Sequence, residues 1–151
     1  MRVEHQIRAF EQLLQSYNGV QPLHRHLFAY FKQNKQMGSS DRRWATRYIY
    51  SYFRLGKALA EVDTLHRLAI ADFLCNETAS LIVNQFLPEY TEKIHFSVAD
   101  KIAFIKEKYP LFDLDQVFSF KTKLSDQIDQ EAFVPSFFVM ILITPATASE
   151  P

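Results

Sequence analysis

A chain of 151 residues, 48% of them apolar and 15% aromatic, has the material for one domain with a buried core, and this composition excludes a disordered polymer. The three glycines, Gly19, Gly38 and Gly56, lie too far apart for a glycine-rich phosphate loop, and the single cysteine, Cys75, excludes an internal disulfide and a cysteine-based zinc site. Net charge is zero but lopsided: residues 1–67 hold 11 lysines and arginines against 5 acidic residues, and residues 68–151 hold 6 against 12, so a basic front half either meets a polyanion or attracts the acidic back half.

The N-terminal "MRVEHQIRAFEQLLQ" carries charge throughout and has no apolar core of a signal peptide. No run approaches the roughly 20 apolar residues of a membrane helix. With one cysteine, this fits a cytoplasmic chain that needs neither membrane nor metal. Val3, Ile7, Phe10 and Leu14 recur at helical spacing and predict a helix over 3–17, stopped by "YNGV", where Gly19 supplies a left-handed residue. Pro22 suits the first turn of a second helix with an apolar face of Leu23, Leu27, Phe28 and Phe31. "QMGSS" breaks it.

A third helix starts at Ser39 or Ser40, whose hydroxyls can cap free backbone N–H groups, while Asp41 complements the positive end of the dipole. It runs to about Leu55, and Gly56 either ends it or allows close packing against a neighbour. "VDTLHRLAIADFL" predicts a fourth helix over 62–74. A fifth covers about 77–87, with Asn76 as its cap, Ala79, Ile82, Val83, Phe86 and Leu87 on one face, and Pro88 closing it. In "SVADKIAFIKEKYP", Ser97 and Asp100 have capping-box spacing, and Val98, Ile102, Ile105 and Tyr109 form the stripe. A short piece in "DLDQVF" and a last helix from about Ser125 to Phe133 follow, and "KIHFSV" is the one strand-like candidate. The expected architecture is all-α, a single domain of about seven or eight helices over 1–138. In residues 139–151 an apolar run passes into an unpatterned tail, which implies truncation, an altered reading frame or a frayed natural end.

The stretch "MGSSDRRWATRYIYSYFRLGK", 37–57, carries the chemistry. On a helical wheel Ala45, Ile49, Tyr52, Phe53 and Gly56 share a core face, and Arg43, Arg47 and Arg54 share another, with Trp44 and Tyr48 at its flank and Lys57 extending it. Arginines about one turn apart can follow a phosphate backbone, and neighbouring aromatics can stack on unpaired bases. Lys32 and Lys35 extend the basic surface toward Arg42. The same residues also suit a solvated helix face with the aromatics packed at its rim.

Gly38, Ser39, Asp41, Arg42, Arg43, Tyr50 and Arg54 match a pattern of Gly-Ser-x-Asp-Arg-x followed by an aromatic-rich helix ending near an arginine. The stretch thereby resembles the signature of the N-terminal, NusB-like domain in the Sun/Nop family of RNA cytosine-5 methyltransferases, which include 16S rRNA methyltransferases. The resemblance covers residues 1–70 at motif level and implies a NusB-like helical bundle that binds ribosomal or transfer RNA. It also implies a separate catalytic domain that binds S-adenosylmethionine and attacks cytosine through cysteines. The expected RNA-binding residues are Lys32, Lys35, Arg42, Arg43, Trp44, Arg47, Tyr48, Arg54 and Lys57.

No catalytic motif and no cofactor site are expected in this chain. Cys75 lies within a predicted helix without a preceding proline and reads as a small buried residue. His24 and His26 diverge by about 200° on a helix, and His5, His66 and His95 have no fixed ligand partner in sequence, so no metal site is expected. Two other functions fit the residues. One is a docking module that packs against a catalytic domain, and the other is a free-standing antitermination factor.

Overall fold

The computed structural model describes residues 2–117, and all regular structure among them is helical. Six α-helices run in chain order: α1 (Val3–Ser16), α2 (Leu23–Gln33), α3 (Ser39–Arg54), α4 (Thr64–Cys75), α5 (Leu81–Phe86) and α6 (Val98–Lys108). Two 3₁₀ segments, Pro88–Lys93 and Leu114–Gln116, complete the described chain. The helix expected over Ser125–Phe133 and the tail 139–151 lie outside the described residues.

α4 is the centre of the bundle. From Leu68 to Cys75 every residue is buried, the mark of a helix enclosed on all sides rather than amphipathic. α3, α5 and α6 pack around it, and α1 lies across α3 and α5. α1 contributes Phe10 and Leu13 to the core, and its Gln6 accepts a hydrogen bond from the buried Tyr48 hydroxyl of α3. None of the helices among the described residues is long and apolar enough to cross a membrane.

Several expected boundaries move for identifiable reasons. Ser39 and Ser40 do not cap α3: they are its first two helical residues, and Gly38 takes the cap position without a side-chain bond. Asp41 does occupy the first turn, where its charge suits the dipole. Ser97 caps α6 by accepting from the Asp100 N–H at 3.2 Å, as its spacing predicts. Asn76 does not cap α5. It ends α4, and its side-chain amide donates to Asp72 and Ser51. Ser80 caps α5 instead, so the helix begins at Leu81 rather than near 77. The intervening residues are drawn out to meet Arg47. α5 does end just before Pro88, as expected, and Pro88 then opens a 3₁₀ segment. "KIHFSV" forms no strand; its Ile94 is buried and its Ser97 is the α6 cap.

α2 differs most from its expected face. Leu27 is its one buried residue, whereas Phe28 is 71% exposed. Phe28 lies about 100° from Leu27 around the helix, outside the row Leu23, Leu27 and Phe31 that meets the rest of the bundle.

Lys101 of α6 is 1% exposed. Its Nζ donates to the Asn76 carbonyl at 2.7 Å and lies 5.1 Å from the centre of the Phe73 ring. Burial lowers its pKa to about 8, against an ordinary 10.5. Between those two values the unfolded chain binds a proton that the folded chain does not, so this group makes the fold more stable as pH rises. Below pH 8 the amine is charged in both states and the full cost of burying it is present. Above about 10.5 it is neutral in both and the cost is gone. Urea midpoints of wild type should therefore rise relative to those of Lys101→Met across this window. The raised pKa of Cys75 comes first from burial, which both proteins share, and Lys101 lowers it only as its weakest influence, so most of its contribution cancels in the comparison. Parallel pH profiles for the two proteins would remove the argument.

Candidate nucleic-acid interface

Arg43, Arg47 and Arg54 do share one face of α3, but only its Arg43 end meets solvent; from Arg47 onward the face packs on α4. Arg47 donates from Nε and Nη2 to the two carboxylate oxygens of Asp72, at 2.8 and 3.0 Å. Its Nη1 donates to Thr78 Oγ1 at 2.7 Å, and Nη2 also reaches the Thr78 carbonyl at 2.6 Å. One turn on, Ser51 is buried and accepts from Asn76. At the end of the row Arg54 is 7% exposed, beside the Cys75 thiol, with its Nη2 buried and without a hydrogen-bond partner. Burial lowers the Arg54 pKa to about 10 and raises that of Cys75 to about 11. The expected outward ridge of three arginines is thus broken: Arg47 is neutralised by Asp72 and Arg54 is inside the bundle.

Tyr48 is also misplaced as an RNA contact. It is fully buried, its hydroxyl is committed to Gln6, and burial holds its pKa far above the usual tyrosine value. Helical spacing puts Tyr48 one turn from Trp44, but α1 covers the Tyr48 position and leaves Trp44 half-buried at the rim. Lys57 is exposed at the far end, one residue beyond Gly56 and away from the other cations along α3.

Four of the expected cations remain near one end of the molecule, where α2 finishes and α3 begins. Lys32 and Lys35 are exposed, and their side chains take part in no hydrogen bond, ion pair or ring contact among the described residues. Arg42 is half-buried. Its Nε donates to the Met37 carbonyl at 3.1 Å and its guanidinium stands 5.8 Å from the centre of the Phe31 ring. Together with Phe28 and Phe31, these three residues line one shallow depression. Arg43, next along α3, is exposed and likewise unpartnered among the described residues. It lines a second groove with Trp44, Arg47, Thr78 and Ala79. Phe28, expected in the core, and Thr78 and Ala79, expected within the fifth helix, are the lining residues that the sequence did not mark as binding residues.

The surface can attract a polyanion and stack an aromatic ligand. Gly19 and Gly38 stand in open space, and the space a side chain at Gly56 would take is filled by the Gln116 and Val117 carbonyls. No family model matches the chain, and neither a curated protein nor a solved structure matches it.

Proposed function

We propose that this domain binds RNA and serves as an accessory module of the kind that accompanies the catalytic domain in RNA cytosine-5 methyltransferases of the Sun/Nop family. One observation carries the RNA-binding part. Phe28, an exposed aromatic on α2, stands among Lys32, Lys35 and Arg42, whose charges have no acidic partner among the described residues. An apolar ring left in water beside free cations suits a ligand that is both anionic and aromatic. The methyltransferase context is supported by the motif from Gly38 to Arg54 alone. In this reading the module holds RNA through its phosphates, and selection of the target base belongs to the separate catalytic domain.

Binding of ribosomal RNA fragments to the chain should weaken steeply as salt rises. In the double variant Lys32→Glu, Lys35→Glu, affinity should fall about tenfold or more at low salt, and the slope of log affinity against log salt should flatten by about 1.5 for the two lost contacts. Circular dichroism should be unchanged, because both side chains are exposed. Absence of binding at low salt, or salt-independent affinity, would reject the proposal. Unchanged RNA binding by the double variant would leave Phe28 and its lysines as a protein-docking surface.

A further inference from the structure

The geometry points to a seat for one unpaired nucleotide of single-stranded RNA in the groove between α3 and the α4–α5 connection, with the base against Trp44 and its phosphate at Arg43. The inference rests on the RNA-binding reading above and adds to it a preference for unpaired over duplex RNA.

The groove has a volume of about 400 Å³ and is lined by Arg43, Trp44, Arg47, Thr78 and Ala79. That size falls within the range of small-ligand sites, roughly 300–1,000 Å³. Its two arginines have different tasks. Arg47 has its guanidinium committed to Asp72 and Thr78, so it cannot turn toward a ligand. Its fixed plane lies 4.8 Å from the centre of the Trp44 ring, which holds the indole in place before any ligand arrives. Arg43 is the opposite case: exposed, without a partner among the described residues, and free to meet a phosphate. No acidic residue lines the groove to repel one. Ala79, also in the lining, has a side chain too small to fill the space.

A fixed aromatic ring beside one mobile cation suits a base with its own phosphate. A base within a duplex is already stacked on its neighbours and cannot enter a concave groove, whereas an unpaired base can. This seat is separate from the Phe28 depression, so the two can fail independently.

Trp44 is the only tryptophan of the chain and reports on its own groove. The full chain is titrated with a short single-stranded oligoribonucleotide of mixed sequence carrying a fluorescent label, and with the same strand annealed to its complement. Label anisotropy follows binding and Trp44 emission follows occupancy. The single strand should quench Trp44 with the same midpoint as the anisotropy change, and the duplex should bind without quenching. Arg43→Gln should weaken the single strand by about tenfold more than the duplex, and Trp44→Leu should remove the preference for the single strand. An anisotropy change with unaltered Trp44 emission, and no loss of preference in Trp44→Leu, would overturn the nucleotide seat and leave the RNA-binding reading standing. No anisotropy change with either RNA would overturn both.

Discussion

Asp72→Ala should destabilise the domain by about 3–5 kcal/mol, the cost of leaving a desolvated cation without its partner. Asp72 is fully buried and accepts from Arg47 through both oxygens, from the Ser80 hydroxyl at 2.6 Å and from the Asn76 amide at 3.0 Å. Removing the carboxylate takes an acceptor from all three donors: Arg47 keeps only its bonds to Thr78, Asn76 keeps Ser51 and the Asp72 main-chain carbonyl, and the Ser80 hydroxyl loses its acceptor. It also withdraws a negative charge that helps to keep Lys101 protonated. With total stability of about 5–15 kcal/mol for a typical domain, the variant should sit near the limit of folding. In urea its midpoint should fall by about 2 M if the denaturant slope is about 2 kcal/mol per molar. Asp72→Asn, which keeps the shape and loses the charge, should lie between the two. A drop of less than about 1 kcal/mol in Asp72→Ala would show that Arg47 finds water or another partner without cost. The double variant Arg47→Met, Asp72→Leu separates charge from packing. By removing both charges together, it should recover much of the loss.

Gly56→Ala should cost about 3–5 kcal/mol, and Gly19→Ala only about 1 kcal/mol, although both glycines have a positive φ, of 61° and 79° respectively. At Gly19 an added Cβ meets nothing within 4 Å, so only the backbone preference is lost. At Gly56 it would lie 2.5 Å from both the Gln116 and the Val117 carbonyl oxygens, and these are backbone atoms that cannot rotate away. The segment must shift, which breaks the bond from the Lys57 N–H to the Gln116 carbonyl at 2.9 Å. It also draws the buried Val117 from the core, worth about 1.5–3 kcal/mol. Urea melts give the totals, and hydrogen exchange locates the damage. The Lys57 amide should lose protection in Gly56→Ala and keep it in Gly19→Ala. Equal losses of stability in the two variants would refute the close approach at Gly56.

Helical periodicity made most of this fold legible. α1, α3, α4 and α6 lie within about two residues of their expected bounds because their apolar spacing and the Ser97 cap are local signals. Gly56 presented two alternatives in the sequence, and it does both: it ends the helix and lets another backbone pass close by. The candidate site was harder to read because its outcome depends on what crosses α3. A helical wheel puts Arg43, Arg47 and Arg54 on one face, but it cannot show whether that face meets water or α4. Arg47 and Asp72 are 25 residues apart, and only tertiary packing joins them. A signal was present nonetheless. Asp72 sits alone in "LAIADFLC", and a single carboxylate inside an apolar run implies a buried cation or donor elsewhere in the chain. Lys101, between Val98 and Ile102, gave the complementary sign. Phe28 was misplaced for the reverse reason, since an apolar residue next to a core row reads as core until the neighbouring helices prove too few to cover it.

The crossing at Gly56 also fixes distances. The backbone at Val117 is pinned to the C-terminal end of α3, while Lys35 and Arg42 lie at the other end of the same helix. Sixteen residues at 1.5 Å per residue make α3 a strut about 24 Å long. A partner fused after Val117 would therefore start about that far, measured along the strut, from a polyanion held at the lysines. Shortening the helix by one turn would bring the two about 5 Å closer and rotate one against the other, so the reach of a fusion is set by the length of this rod.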